Sequence, residues 1–169
     1  MDTAALLGLV ALCAPLVAPS TAYALMRVES SFNPYAIGVV GASLQRQPRT
    51  YAEALATARQ LHSLGYDYSV GLAQINQRNF ARLGLTTETA FDPCCNLQAM
   101  QRVLGECMTR SRQLGAPQRA LRDALSCYYS GDFHTGYRDG YVRRVAAAAA
   151  KPPPSAATLA TSPPLTANR

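Results

Sequence analysis

The sequence predicts a mainly α domain with one small extended or hairpin segment and a disordered C-terminal tail. Three observations lead there. Apolar residues recur at helical spacing, most clearly at Leu97, Met100, Val103, Leu104, Cys107 and Met108. β-Branched residues stand between glycines in Ile37-Gly38-Val39-Val40-Gly41. From Ala146 the chain turns to Ala, Pro, Ser and Thr without periodicity. Residues 1–146 are therefore read as one domain and 147–169 as an Ala/Pro-rich tail, with 151–169 disordered.

The elements follow in order. Residues 4–18 are apolar enough for a secretory core, and Ala22-Tyr23-Ala24 offers an A-x-A site. Against cleavage there stand Asp2 and the lack of Lys or Arg in the leading residues. A cut after Ala24 would also remove Cys13 and most of the helix that carries Glu29. The run is too short and too interrupted by Pro to span a membrane. Instead, Asp2 caps a first helix from Thr3 to about Leu12, and Pro15 and Pro19 form a corner. Ser20 or Thr21 then caps a second helix ending near Glu29. After Pro34, residues 37–46 make the extended or hairpin segment.

Thr50-Tyr51-Ala52-Glu53 has the spacing of a capping box. It opens a helix with Leu55, Ala58 and Leu61 on one face, closed by Gly65. Residues 77–84 form a short helix stopped by Gly84. Phe91-Asp92-Pro93-Cys94-Cys95-Asn96 is a turn in which Asp92 or Asn96 serves as a cap. A long helix over about 97–114 follows, broken by Gly115-Ala116-Pro117. Residues 118–130 form another, with Ala120, Leu121, Ala124, Leu125 and Tyr128 as its apolar stripe, and Gly136–Val145 begins the last.

Size and charge narrow the class. A chain of 169 residues holds one domain with a real core and leaves little room for a second. Sixteen basic residues, all Arg but Lys151, face ten acidic ones, for a formal charge of +6. That balance favours an acidic polymer as partner. The Arg are scattered, with no basic run interleaved with aromatics, so nucleic acid is not expected. A polyanionic cell wall and simple solubility are the remaining readings.

Five cysteines stand at 13, 94, 95, 107 and 127 without a C-x-x-C pair. His62 and His134 are not spaced with them as a zinc site requires, so no metal is expected. An oxidising compartment makes the pattern two disulfides and a leftover thiol, and a reducing one leaves free thiols. Cys107 and Cys127 fall on inward faces of neighbouring helices, where a bond is feasible.

The stretch Leu25–Pro34 carries the chemistry. It sets one carboxylate, Glu29, at the end of an apolar helix, with Tyr23, Ala24, Leu25 and Val28 supplying carbon around it. Burial raises a Glu pKa, and a Glu so tuned donates a proton at neutral pH. A helix-end Glu facing water is the other reading. Further on, Tyr68-Ser69-Val70-Gly71-Leu72-Ala73-Gln74-Ile75-Asn76 joins a Gly that admits close backbone approach to the amides of Gln74 and Asn76.

Glu29-Ser30, Gly71-Leu72-Ala73-Gln74-Ile75-Asn76 and Cys127-Tyr128-Tyr129-Ser130-Gly131, in this order, resemble the signature of the lytic transglycosylases related to lysozyme. Ala36-Ile37-Gly38-Val39, Ser69-Val70-Gly71-Leu72, Asp92-Pro93-Cys94 and Tyr141-Val142-Arg143-Arg144-Val145 bring the resemblance closer to the VirB1-like transglycosylases of type IV secretion systems. It covers about residues 10–146. It implies a lysozyme-like helical domain, monomeric, periplasmic and without a cofactor, with a cleft for peptidoglycan glycan strands. It also implies type IV secretion system components as partners. The family cleaves the β-1,4 bond between N-acetylmuramic acid and N-acetylglucosamine and leaves a 1,6-anhydro end.

By this resemblance Glu29 falls on the catalytic Glu, and Gly71 and Gln74 on the motif lining the cleft. Tyr128 falls on the Tyr that contacts the catalytic carboxyl, and Tyr141 on a second Tyr near the site. Ser30, Ser69, Leu72 and Asn76 complete the expected substrate-binding set. Cys94 falls on the family's Cys, which implies Cys13–Cys94 and Cys107–Cys127 and leaves Cys95 free. Tyr129 stands where the family often has Asn.

Glycosidic cleavage usually takes two carboxylates, and no second acid sits in a recognisable motif. Asp67 is the nearest candidate and is expected to face solvent. One carboxylate suffices if the substrate's 2-acetamido oxygen stabilises the cationic centre while Glu29 first gives and then takes a proton. Ser30 and Tyr128 would orient the carboxyl or the acetamido group. The competing functions are a lysozyme-type muramidase, with Asp67 activating water, and a non-catalytic wall-binding assembly factor that keeps the fold.

Overall fold

The longest helix, α5 (Pro93–Gln113), is the post against which much of the chain packs. Asp92 starts it, its Oδ1 accepting the Cys95 N–H at 2.8 Å, and Pro93 presets the first turn. Leu97, Met100, Leu104 and Cys107 are buried, as their spacing predicts. Two disulfides fasten it to neighbours, one at its first turn and one in its second half: Cys13–Cys94 and Cys107–Cys127, with Cys95 free. The pairing is the one the resemblance implies.

The computed structural model describes residues 3–115 and 119–151, so the Asp2 cap, the Ala116-Pro117 break and the tail beyond Lys151 lie outside it. Before α5 come α1 (Thr3–Cys13), α2 (Pro19–Ser30), β1 (Ile37–Val39), α3 (Tyr51–Ser63), β2 (Tyr68–Val70), β3 (Ile75–Asn76) and α4 (Phe80–Leu83). After it come α6 (Ala120–Ser130), α7 (Thr135–Arg138) and α8 (Tyr141–Ala149). The architecture is the expected mainly α one with a small sheet. No helix among the described residues is long and apolar enough to cross a membrane.

Helix α2 carries Glu29 and lies against α1 and α8. It begins at Pro19 without a side-chain cap, because proline already holds the dihedral a first helical residue needs. The predicted cap Thr21 is instead buried, with Ala22, Tyr23, Ala24, Leu25 and Met26. The A-x-A stretch is thus core.

The extended segment departs from a local hairpin. Strand β1 pairs antiparallel with β2, placing Ile37 opposite Val70 and Val39 opposite Tyr68, and β2 pairs with β3. Only the Val39–Ala42 bridge is local. The outer edge of β1 is closed by the Gln47 amide, which accepts from the Ile37 N–H at 2.8 Å and donates to the Ile37 carbonyl at 2.9 Å. Buried Ile37 and Val70 in one register outweigh the short-range turn.

The capping box is present one residue displaced: Thr50 Oγ1 accepts the Glu53 N–H at 3.2 Å, and Glu53 accepts the Arg49 N–H at 3.0 Å. The buried face of α3 is Ala54, Ala58 and Leu61, with Leu55 at its margin. Helix α6 buries Ala120, Ala124 and Leu125 of the predicted stripe, and Tyr128 packs against the core, but the inward face is wider than predicted. Asp123, Ser126 and Cys127 face inward and Leu121 is 43% exposed. Partners explain this, since Asp123 accepts from Ser111 Oγ at 2.9 Å and from the Tyr137 hydroxyl at 2.7 Å. The last predicted helix is split by Gly140 at φ +72°, and α8 continues to Ala149, three residues past the predicted domain end, on a run of strongly helix-forming Ala.

Candidate active site

Glu29 sits one residue before the end of α2, where the chain turns through two non-glycine residues in the left-handed region, Ser31 at φ 51° and Phe32 at φ 66°. Such residues cost on the order of 1 kcal/mol or more each and persist where surroundings over-determine them. Here the Phe32 ring packs on Tyr23 with centroids 4.8 Å apart, and the Ser31 and Phe32 N–H groups cap the helix on Arg27 and Met26 carbonyls.

A cleft of about 310 Å³ opens there. Glu29 shares it with Val39 and Val40 beyond α2, Ser69, Gln74, Ile75 and Asn76 from the sheet region, Val103 from α5, and Tyr128 and Tyr129 from α6. The cleft around the carboxyl is therefore lined mainly by residues distant in sequence. Ala24 and Leu25 of its own helix belong to the core, Val28 packs against it, and Tyr23 is buried.

The carboxyl is half-buried and its pKa is pushed up from 4.5 to about 7. Burial is the main cause, opposed by a hydrogen bond from the Tyr141 hydroxyl to Oε1 and by the positive charge of Arg144. Tyr141 is the first residue of α8 and is 2% exposed. Its phenol is held protonated, raised by burial and by the nearby Glu29 charge. Glu29 is thus a partly buried carboxyl with a raised pKa and not a water-facing helix end.

The tyrosines exchange their expected places. Tyr141, and not Tyr128, touches the carboxyl. The Tyr128 hydroxyl donates to the Ala73 carbonyl at 2.6 Å, fixing the loop after Gly71. Tyr128 remains near enough for the Glu29 charge to raise its pKa further, beyond the effect of burial.

Of the expected substrate-binding residues, Ser69, Gln74, Asn76 and Tyr128 line the cleft with Glu29. Ser30, Gly71, Leu72 and Tyr141 stand behind its wall and hold it. Ser30 Oγ lies 3.1 Å from the Met26 carbonyl and 2.8 Å from the Leu72 carbonyl, joining α2 to the loop and leaving the Glu29 carboxyl to Tyr141. Leu72 is fully buried. Gly71, at φ +82°, lies against the Asn96 amide. Gln74, itself left-handed at φ 49°, donates from Nε2 to the Ala36 and Gly71 carbonyls, both at 3.0 Å. Its Oε1 stands 2.8 Å from where a β-carbon on Gly38 would be.

Asp67 is not the solvent-facing acid expected. Its side chain is 19% exposed, pairs with Arg78 at 3.1 Å, and accepts from Asn76 Nδ2 at 2.8 Å. Among the described residues lining the cleft, Glu29 is the one carboxylate. Sequence reasoning missed the roles of Asn96, read as a possible cap, and of Arg144, noted only as part of the motif Tyr141-Val142-Arg143-Arg144-Val145. It also missed that Tyr129 would stack on Tyr141, at 4.6 Å and 18°. No local signal marks any of the three, because each acts on a residue distant in sequence.

The transglycosylase SLT domain family matches residues 9–149. The type IV secretion system protein virB1 of Brucella abortus is 46% identical over 142 residues, which cover 80% of this chain and 60% of that protein; virB1 of Brucella suis matches equally. Protein virB1 of Agrobacterium fabrum is 42% identical over 137 residues, 79% of this chain and 54% of that protein. The chain therefore spans little more than half the length of these relatives. No solved structure gives a significant match. The family match runs from α1 through α8 and takes in every residue of the cleft described above: the chain belongs to the transglycosylase SLT domain family.

Proposed function

We propose that the chain is a peptidoglycan lytic transglycosylase that cleaves the β-1,4 bond between N-acetylmuramic acid and N-acetylglucosamine. It forms the 1,6-anhydro-muramyl end, and it opens the wall locally in the periplasm for assembly of a type IV secretion system. The observation that carries this reading is Glu29, the one carboxyl among the described residues lining the cleft, with its pKa raised to about 7. Near that value one group serves both as acid and, once deprotonated, as base.

Glu29 in its protonated form gives its proton to the glycosidic oxygen as the bond to C1 of the muramyl residue breaks. The substrate's 2-acetamido oxygen covers the electron-poor C1. The Glu29 carboxylate then takes the proton from the C6 hydroxyl, whose oxygen bonds to C1. The proton removed replaces the proton donated, and no water is consumed. Tyr141 holds one carboxyl oxygen throughout. Ser69, Gln74 and Asn76 are proposed to hold the sugars from the sheet side, and Tyr128 to fix that wall.

The secretion role rests on similarity to proteins named for a type IV secretion system. Digestion of purified peptidoglycan with mass analysis of the products tests the chemistry. Muropeptides lighter by one water than the hydrolysed form support it. Reducing ends would favour the muramidase reading, and no release at all the assembly-factor reading.

A further inference from the structure

Tyr129 follows Tyr128 near the end of α6, and one step along a helix turns a side chain by about 100°. Tyr128 reaches the Gly71 loop. Tyr129 turns to α8 and lies nearly flat on Tyr141, centroids 4.6 Å apart and planes 18° from parallel. Tyr141 is 2% exposed, whereas Tyr129 is 43% exposed and lines the cleft beside Glu29. The two rings are therefore layers, the outer one facing the cleft and the inner one bonded to the carboxyl.

We propose that Tyr129 is a positioning residue: its ring roofs Tyr141, keeps water off the Tyr141–Glu29 hydrogen bond, and so holds the carboxyl dry and aligned for proton transfer. The inference rests on the reading of Glu29 as the general acid. Physical sense supports the direction of the effect. Burial is the largest influence on Glu29, and a side chain that stops at Cβ would uncover the inner ring and let water reach the bond. The titratable and charged groups facing Glu29 are Tyr141 and Arg144 from α8 and Tyr128 from α6. Arg144 lies 5.8 Å from the Tyr141 ring centroid and is tied to the Asp139 carbonyl at 3.0 Å, so it stays when Tyr129 is cut back. Its charge and the entering water both favour the carboxylate.

The test is an NMR titration of the Glu29 carboxyl in the full chain, with the pH profile of kcat/KM on peptidoglycan beside it. In Tyr129→Ala the midpoint falls from the wild-type value by about one pH unit, and the alkaline limb of kcat/KM moves down with it. Tyr129→Phe keeps the ring and stays at the wild-type midpoint. Tyr129→Asn, a second small side chain, gives the same reading if the Ala variant does not fold. An unmoved midpoint in the small variants overturns the inference, and so does a Phe variant that falls as far as Ala. Because the titration needs no substrate, its failure is separate from that of the catalytic reading. A shifted midpoint in a protein that digests nothing would overturn the role of Glu29 and leave the roof standing.

Discussion

The side-chain amide of Asn96 fills the space that a β-carbon on Gly71 would need. Fully buried on the first turn of α5, it donates to the Val70 carbonyl at 3.0 Å and the Ala90 carbonyl at 2.8 Å. It accepts the Ala73 N–H at 2.8 Å. One side chain thus replaces the hydrogen bonds that a regular strand would have given the loop between β2 and β3.

Asn96→Ala removes three buried hydrogen bonds, one accepted and two donated, and is expected to cost about 2–4 kcal/mol, measured by urea unfolding. Gly71→Ala meets the same amide at a positive φ and is expected to lose a similar amount. Stability within about 0.5 kcal/mol of wild type in either variant would show that the loop does not depend on this contact.

Tyr141→Phe removes the hydrogen bond that works against burial at Glu29. The Glu29 pKa is expected to rise above about 7 and the alkaline limb of kcat/KM to move to higher pH, opposite to the Tyr129→Ala shift. The rate at the optimum falls by about 10- to 100-fold, the scale of one charge-assisted hydrogen bond. An alkaline limb at or below the wild-type position would contradict the assignment of Tyr141.

Glu29 also leaves a mark on stability. Its folded-state pKa of about 7 lies above the ordinary 4.5, so the folded protein holds this proton more tightly than the unfolded chain. The contribution is complete below pH 4.5, shrinks as pH rises, and is gone above about pH 7. At about 1.4 kcal/mol per pH unit over that window, it amounts to about 3 kcal/mol. Unfolding of wild type and Glu29→Gln should therefore diverge between pH 4.5 and 7, wild type losing stability relative to the variant. Glu53 and Glu88, held low mainly by hydrogen bonds from Arg46 and Arg59, cancel in the comparison. Parallel curves would mean that the carboxyl is solvated.

The organisation of the fold was legible where its causes are local. The capping box at Thr50 and the apolar spacing of α5 lie within one or two turns of helix, and Glu29 itself stood out as a carboxylate among carbon. Asp92 is one of the two caps the sequence offers for α5, although the helix begins four residues before the predicted 97. What escaped was set at long range. Ile37 pairs with Val70 and not within 37–46, and Asp123 turns inward because Ser111 and Tyr137 supply its partners. The division of labour between Tyr128 and Tyr141 depends on how α6 and α8 approach α2, which neither motif encodes. The resemblance pointed to residues that gather around one cleft and could not say which of them touches which.

The disulfides differ in reach. Cys13–Cys94 joins residues 81 apart and Cys107–Cys127 residues 20 apart. The paired Ser replacement is expected to cost about 4 kcal/mol for the first and about 3 kcal/mol for the second on chain-entropy grounds. Cys95→Ser should change the unfolding midpoint little, since Cys95 is the free thiol. A Cys95→Ser loss as large as that of Cys13→Ser/Cys94→Ser would show that Cys95 takes part in the native pairing.

The central claim is that Glu29 gives and recovers one proton with no water in the reaction. Digestion of peptidoglycan in water enriched in oxygen-18 reads this directly. The account predicts new muramyl ends that carry no heavy oxygen and are anhydro in mass, with release abolished in Glu29→Gln. Heavy oxygen at the new ends, in reducing rather than anhydro products, would contradict it and make the enzyme a hydrolase.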